Sequence, residues 1–363
     1  MIGLYIHIPF CRSKCYYCDF VSYPIIDENF QKKYLICLKK EIEIRQLNFK
    51  KISTIYFGGG TPSLLSYENL RFLFKIIFDN FDCHNVEEIS VELNPDSTNE
   101  KKLLLMKDFN VNRLSFGLQS FNNYFLKILG RIHTVEQFIK LYELSKKINF
   151  KNINIDLICG IPKQTLENWK TDLKKILELL PQHISIYCLN IEEGTEFYNR
   201  KIYVDEDLTA DMYEYTMDYL KLNNYKQYEI SNFSLPGFEC KHNQIYWKNK
   251  EYIGLGVSAV SYLNQERIKN VSDINKYINM VSNNIKPQET KEKLEGTEKS
   301  FERIFLGLRL LNNGLKLLPE EKIFEPKFKE LQLLGLINNI NDNFILTKKG
   351  IMLSNYVFRE LKI

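Results

Sequence analysis

The sequence has no run of about 20 apolar residues, the length that a membrane-spanning helix needs. Its start, Met1 to Tyr5, lacks the basic segment that opens a secretory signal peptide. The net charge is only +4 over 363 residues, which gives no case for nucleic-acid binding. Eight cysteines are too few for a disulfide-stapled scaffold of this length. We therefore expect a cytoplasmic protein, in a reducing compartment, with no transmembrane segment and no nucleic-acid partner.

Three of the cysteines lie close together, as Cys11, Cys15 and Cys18. Thiolates are soft ligands that bind zinc or iron–sulfur clusters. A structural zinc site needs four ligands, and the next cysteine, Cys37, stands alone. The C-x3-C-x2-C spacing therefore favours a [4Fe–4S] cluster held by three cysteines, with one iron left for an exchangeable ligand. A zinc site and unrelated thiols are the alternatives.

Strand and helix patterns alternate six times along the first part of the chain. Because such alternation is typical of parallel strands joined by helical crossovers, it predicts an α/β fold. Eight units would close a TIM barrel, so six predict a partial (β/α)6 TIM-like barrel. The predicted strands are 2–8, 52–57, 88–93, 112–118, 151–159 and 183–189, and the predicted helices are 27–47, 66–80, 99–108, 135–147, 166–179 and 208–223.

The chain leaves this alternation after residue 225. Residues 225–230 predict a seventh strand or an edge strand, and Pro236-Gly237 marks a turn. We therefore predict two domains, a barrel over residues 1–237 and a C-terminal α+β domain over residues 238–363.

The C-terminal part contains both helical and hairpin signals. Residues 283–299 predict a solvated connection, and amphipathic helices are predicted at 300–311 and 328–336. Asn341-Asp342-Asn343 then separates two short apolar runs, which is typical of a hairpin. Helices followed by a hairpin predict a winged-helix-like tail, and we expect it to cap the barrel rather than to bind DNA.

Polar side chains alternate with apolar ones on three successive predicted strands. Since neighbouring strand residues point to opposite faces, Glu92, Gln119 and Asp156 are expected to share the face opposite the covering helices. A packed barrel interior would carry Val, Ile and Leu there instead. The pattern therefore predicts a ligand-filled lumen. One solvated face of an antiparallel sheet is the alternative, against which the intervening helices argue.

The chain resembles the radical S-adenosylmethionine (SAM) family. The resemblance rests on the three-cysteine motif after a first strand and on five segments: Tyr5–Cys11, Gly58–Ser63, Gly117–Phe121, Leu129–His133 and Asp156–Pro162. Within that family the set is similar to the branch of oxygen-independent coproporphyrinogen III oxidases. Two details favour the haem chaperones of this branch. Phe20 stands where the oxidases carry a further cysteine, and His242-Asn243-Gln244-Ile245-Tyr246-Trp247 resembles the chaperone motif H-N-x-x-Y-W.

The resemblance implies three cofactors, namely the [4Fe–4S] cluster, SAM and haem. It implies that Cys11, Cys15 and Cys18 hold the cluster. The residues that it places beside SAM are Tyr5, Tyr17, Gly59, Gly60, Thr61, Glu92, Gln119, Arg131 and Asp156. Glycines after a strand let the backbone approach a ligand closely, which agrees with this assignment.

The resemblance also implies haem binding at His242, and neutral imidazole is a common axial ligand of haem iron. Cys240 is a weaker candidate, and a purely structural role for His242 is the alternative. The implied function is a haem chaperone that passes haem to acceptor haem proteins of respiration, which would bring it to the membrane surface. A coproporphyrinogen III oxidase is the second hypothesis, and a DNA-binding regulator with a redox cluster is the third.

Overall fold

The computed structural model describes residues 2–25 and 27–362. Its centre is a run of six parallel strands in sequential order, each followed by at least one helix. The strands are β1 (Gly3–Ile8), β2 (Thr54–Gly59), β3 (Glu88–Leu93), β4 (Arg113–Gln119), β5 (Ile153–Cys159) and β6 (His183–Cys188). The helices between and after them are α1 (Glu28–Ile44), α2 (Tyr67–Asn80), α3 (Glu100–Asp108), α4 (Asn123–Ile128), α5 (Val135–Lys147), α6 (Leu166–Leu179), α7 (Glu196–Asn199) and α8 (Glu206–Leu222). The predicted partial (β/α)6 barrel is confirmed.

Local sequence explains where these helices begin and which face they bury. The side chain of Ser66 caps α2, and Thr134 forms a capping box with Gln137 at the start of α5. On α2, Leu70 and Phe74 recur at helical spacing and are fully buried against the sheet. Helix α2 therefore covers the outer, apolar face of the strands, whereas the short helices α4 and α7 pack with Ile158 and Leu189 in a separate apolar cluster.

The sheet continues beyond these six strands on both sides. The further elements are β7 (Lys226–Glu229), β8 (Asn232–Ser234), α9 (Lys241–Trp247), β9 (Tyr252–Leu255), β10 (Val260–Leu263), β11 (Glu266–Asn270), α10 (Ile274–Ser282) and β12 (Gln288–Lys293). Next to β6 lies β8, antiparallel to it, and β7 pairs antiparallel with β8 and forms one edge, as predicted for 225–230. On the other side β9 pairs in parallel with β1, followed by β10, β11 and β12, each antiparallel to the strand before it.

The last part of the chain packs around a second apolar core. Buried residues from Ile304 to Leu361 form this core, whereas the main core extends from Leu4 to Val281. Its elements are α11 (Gly296–Gly307), α12 (Glu325–Leu333), β13 (Ile337–Ile340), β14 (Asn343–Leu346), α13 (Lys348–Met352) and α14 (Ser354–Glu360). The predicted hairpin is present as the antiparallel pair β13–β14. The division at 237/238 stays a prediction, and the sheet itself continues past it through β9.

One prediction from the sequence is wrong. Residues 288–293, expected within a solvated connection, form strand β12, whose six residues are all exposed. No alternation of apolar residues marks this strand in the sequence. It pairs with β11 through backbone hydrogen bonds, which do not require apolar side chains. Charged side chains on such an edge also discourage pairing with other chains.

Among the described residues, no helix combines the length and the apolar composition required to cross a bilayer.

Candidate functional site

The three-cysteine loop leaves β1 and is held by backbone hydrogen bonds on both sides. Cys11 N donates to Tyr23 O at 3.0 Å, and Tyr16 N donates to Leu129 O at 3.0 Å. All three cysteines of the motif are free thiols of intermediate exposure. Backbone contacts with two distant parts of the chain therefore fix the loop while its sulfur atoms stay accessible.

The surroundings of the thiols suit an iron–sulfur cluster. Arg131 Nη1 lies 3.5 Å from Cys15 Sγ, so that a cation faces one sulfur, and Thr61 Oγ1 lies 3.6 Å from Cys11 Sγ. Within residues 2–25 and 27–362, no three His, Cys, Asp or Glu side chains meet closely enough to hold one metal ion. A cubic cluster instead binds each thiolate at a different iron and needs a wider spacing. Three soft donors on one short loop fit such a cluster.

Two glycines at the end of β2, Gly59 and Gly60, allow the backbone to come close to the cysteine loop. A Cβ at Gly60 would lie 2.9 Å from the backbone oxygen of Phe10 and 3.0 Å from that of Ile8. Gly59 has φ +110°, and a Cβ there would meet the His7 ring at 2.6 Å. No larger residue fits at either position without moving the segment that leads to Cys11.

One cavity of about 380 Å³ lies at the carboxyl ends of the parallel strands, a volume typical of small-ligand sites. It is where the barrel architecture places its functional residues. The structure brings eleven of the predicted residues to this cavity: Cys11, Cys15, Tyr17, Cys18, Gly59, Gly60, Thr61, Glu92, Gln119, Arg131 and Asp156. Tyr5 and His242 are not among its lining residues.

Glu92 lies in the wall of the cavity with its carboxylate held on two sides. Its oxygens accept a hydrogen bond from the Tyr56 hydroxyl at 2.8 Å and one from Gly59 N at 3.1 Å. Burial raises the pKa of Glu92 to about 7, although the Tyr56 hydroxyl favours the ionised form. A cationic or hydroxyl-bearing ligand beside this carboxylate would restore its charge and use its remaining acceptor sites.

Asp156 is positioned by a chain of buried polar groups. Asn154 Nδ2 donates to Asp156 Oδ1 at 2.7 Å, and Asn154 Oδ1 lies 2.6 Å from His183 Nδ1. His183 Nε2 in turn lies 2.9 Å from the Tyr228 hydroxyl. Burial raises the pKa of Asp156 as well. Sequence reasoning missed His183, although its polar side chain alternates with apolar Ile184 and Ile186 and so points to the inner face of β6.

Gln119 and Arg131 offer polar atoms that lack partners within the described residues. The β4 strand bulges between Gly117 and Gln119, and Gln119 has φ +76°; such a conformation in a residue other than glycine is strained and common at functional sites. Gln119 Oε1 and Arg131 Nε are buried without a hydrogen-bond partner. Arg131 Nη2 donates to Asn94 Oδ1 at 2.7 Å and to Gly117 O. Buried orphan atoms at a cavity wall fit a site that a polar ligand completes.

Tyr5 lies beside the site on the inner face of β1. Its hydroxyl lies 2.9 Å from His7 Nδ1, and His7 Nε2 lies 2.8 Å from Val21 O. Tyr5 and His7 therefore link β1 to the segment that follows the cysteine loop. A contact between Tyr5 and SAM stays a prediction.

His242 is buried, with only 1% of its surface exposed. Its Nδ1 lies 2.8 Å from Thr54 Oγ1, and its Nε2 lies 2.7 Å from the Tyr246 hydroxyl. Burial lowers the pKa of His242 to about 3, so the ring is neutral. In this conformation both nitrogens are engaged, and iron ligation would require one of the two hydroxyls to be displaced. The haem-ligand role stays a prediction, and the geometry favours the structural alternative. Cys240 is fully buried and donates to Glu88.

Two aromatic side chains at the cavity were not predicted as part of the site. Phe20 is 61% exposed and Tyr187 is 42% exposed, and both line the cavity. For Phe20 the sequence indicates only the absence of a sulfur. Large exposed aromatics beside a polar cavity provide an apolar surface for a flat ligand.

Known proteins resemble this chain over nearly its whole length. Residues 5–176 match the Radical SAM superfamily. A protein from Lactococcus lactis subsp. lactis, named heme chaperone HemW, is 40% identical over 98% of this chain and 96% of its own. The HemW of Bacillus subtilis is 36% identical over 99% of this chain and 98% of its own.

A solved structure shows the same fold. The coproporphyrinogen III oxidase HemN from Escherichia coli, described as a radical SAM enzyme, superposes with a TM-score of 0.87 and 25% identity, over 99% of this chain and 89% of that one. The similarity to the HemW proteins is higher and extends over the full length. The chain therefore belongs to the HemW family of the radical SAM superfamily.

Proposed function

We propose that the protein is a haem chaperone that carries a [4Fe–4S] cluster and an exchangeable SAM molecule. One observation carries the cofactor part, namely the cavity in which three free thiols meet Glu92, Asp156 and the orphan atoms of Gln119 and Arg131. Its full-length relatives, which are named heme chaperone HemW, support the chaperone part. A reduced cluster with bound SAM supplies one-electron chemistry.

The side chains of the chain itself provide positions for these groups. Cys11, Cys15 and Cys18 would hold the cluster, and Arg131 would offset the negative charge of Cys15. Gly59 and Gly60 keep the backbone close enough for its N–H groups to reach a ligand.

We propose SAM contacts in the walls of the same cavity. Glu92 and Asp156 would accept hydrogen bonds from SAM, because both line the cavity from β3 and β5, the strands on either side of β4. The unpaired atoms of Gln119 and Arg131 would then find partners. Tyr5, Tyr17 and Thr61 complete the proposed set.

Haem would bind at the end of the barrel opposite the cavity, with His242 as the predicted ligand once it leaves its pocket. The acceptors would be haem proteins of respiration, which the protein would meet from the cytoplasm at the membrane surface. In this proposal the domain over residues 1–237 binds the cluster and SAM, and the domain over residues 238–363 carries the motif around His242.

A coproporphyrinogen III oxidase is the second candidate, and the superposition with HemN favours it. Phe20 argues against it, because the side chain offers neither a sulfur nor a proton donor at the position where the oxidase pattern has a cysteine. The fold by itself does not decide between the two functions.

The deciding experiment uses one anaerobically reconstituted sample for two measurements. Haem titration should give a saturable change in the haem absorption bands, and coproporphyrinogen III with SAM and reductant should give no protoporphyrinogen. A Phe20→Cys variant serves as the matched control for the missing sulfur. Product formation by the unmodified protein would support the oxidase, and the absence of saturable haem binding would refute the chaperone function.

A further inference from the structure

Two cysteines outside the proposed cluster site lie side by side at the carboxyl ends of neighbouring strands. Cys159 is the last residue of β5 and Cys188 is the last residue of β6, and the two are directly paired in the sheet. Their sulfur atoms are 3.6 Å apart. Leu189 N donates to Cys159 O at 2.9 Å, so the backbone hydrogen bonds between the two strands continue to the position of the two cysteines.

The spacing of the backbone suits a covalent bond between the two sulfurs. Neighbouring strands lie about 4.7–4.9 Å apart, and the Cα atoms of a disulfide lie about 4.4–6.8 Å apart. Rotation about the side-chain bonds is then enough to bring the two sulfurs of Cys159 and Cys188 from 3.6 Å to bonding distance.

The two thiols differ in access and in acidity. Cys188 is exposed at the rim of the cavity, whereas Cys159 is fully buried behind it. The Cys159 S–H donates to the Cys188 sulfur, and this hydrogen bond lowers the pKa of Cys188 and raises that of Cys159. The thiolate is the attacking form, so Cys188 is the thiol that reacts first. Cys159 lies beside it and can attack the Cys188 sulfur once that sulfur is part of a mixed disulfide.

We propose that Cys159 and Cys188 form a reversible thiol–disulfide pair that reacts with low-molecular-weight disulfides such as oxidised glutathione. The Cys188 thiolate attacks one sulfur of the small disulfide, forms a mixed disulfide and releases one small thiolate. Cys159 then loses its proton and attacks the Cys188 sulfur, which releases the second small thiolate. The two protein thiols are oxidised, the small disulfide is reduced to two thiols, and excess reduced thiol reverses the reaction.

The consequence concerns the cavity that adjoins this pair. The bond would join β5 and β6 next to Ile158 and Tyr187, both of which line the cavity. The disulfide would thus form and break at the rim of the proposed cofactor site. The inference needs neither haem nor SAM and stands apart from the proposed function.

The test uses the cluster-loaded protein under anaerobic conditions. The protein is incubated with oxidised glutathione, quenched in acid, alkylated, digested with trypsin and examined by mass spectrometry. Cleavage after Lys163 and Lys175 places Cys159 and Cys188 on separate peptides, so a cross-link is recognised directly. We expect the cross-linked peptide pair in the unmodified protein and its loss on addition of reduced glutathione.

Two variants separate the steps. Cys159→Ser should accumulate the mixed disulfide at Cys188, because nothing resolves it. Cys188→Ser should leave Cys159 unmodified, because Cys159 is buried. Cys83 provides an internal reference, since burial raises the pKa of its thiol to about 11. Two results on the unmodified protein, where no variant can misfold, would overturn the proposal: both thiols remaining free, or a mixed disulfide at Cys188 that persists as in Cys159→Ser.

Discussion

His242 Nδ1 lies 2.8 Å from the hydroxyl of Thr54, the first residue of β2. The ring also stacks on Tyr56 with 5.2 Å between the ring centroids. This pair of contacts ties helix α9 to the barrel at the end opposite the cavity, since Thr54 begins the strand whose other end reaches Gly59.

His242→Ala should therefore lower the free energy of unfolding by about 1–3 kcal/mol, because two buried hydroxyls lose a partner. Urea denaturation of the variant and the unmodified protein measures this. Tyr246→Phe is the matched control, since it frees only Nε2. Haem bands altered in folded His242→Ala but kept in Tyr246→Phe would show that His242 leaves its pocket to bind iron. Full stability of His242→Ala would contradict the structural role.

The cluster assignment predicts a sharp difference between cysteines. Cys11→Ala, Cys15→Ala and Cys18→Ala should each abolish the absorption spectrum of a reconstituted [4Fe–4S] cluster, because each removes one of only three protein ligands. Cys37→Ala should retain it, since Cys37 is buried near Ser282 and away from the cavity. Loss of the spectrum in Cys37→Ala to the same degree would refute the ligand set.

Binding of SAM should depend on pH through Glu92. Burial raises the pKa of Glu92 to about 7 in the free cavity, so below that pH its carboxyl is mostly protonated. A hydrogen-bond donor of bound SAM favours the ionised form, so binding releases a proton, and affinity rises as pH increases through about 7 and levels off above it. Calorimetry at pH 6.5 in two buffers of different ionisation enthalpy detects this proton.

Glu92→Gln should bind SAM about ten- to a hundredfold more weakly at pH 8, where the unmodified carboxylate is charged, since a charge-assisted hydrogen bond is lost. It should also lose the proton release. The same pH dependence in Glu92→Gln would assign the titration to another group.

Substitution by alanine should have different effects at Gly58 and at Gly60, although they are only two residues apart. Gly60→Ala places a Cβ against the backbone of Ile8 and Phe10, so we expect the cysteine loop to shift and the cluster content, measured as iron and sulfide per chain, to fall. Gly58→Ala meets only the side chains of Tyr56 and Glu92, at 2.9 and 3.0 Å. It should keep its cluster and weaken SAM binding. Equal cluster content in the two variants would contradict this view of the loop.

The sequence determined the six strand–helix units and the residues that face the lumen. Both follow from local patterns, because the alternation of Glu92 with its apolar neighbours fixes a face as soon as the strand forms. The spacing of Cys11, Cys15 and Cys18 likewise indicates one loop with three thiols, because all three lie within eight residues.

Only the tertiary structure decided the contacts between distant segments. The parallel pairing of β9 with β1 joins residues about 250 positions apart, and the exposed charged strand β12 carries no apolar pattern that predicts it. The burial of His242 between Thr54 and Tyr246, and the approach of Cys159 to Cys188, depend on which strands become neighbours. Pairing between strands is set by packing of the whole sheet, and no local run of residues encodes it.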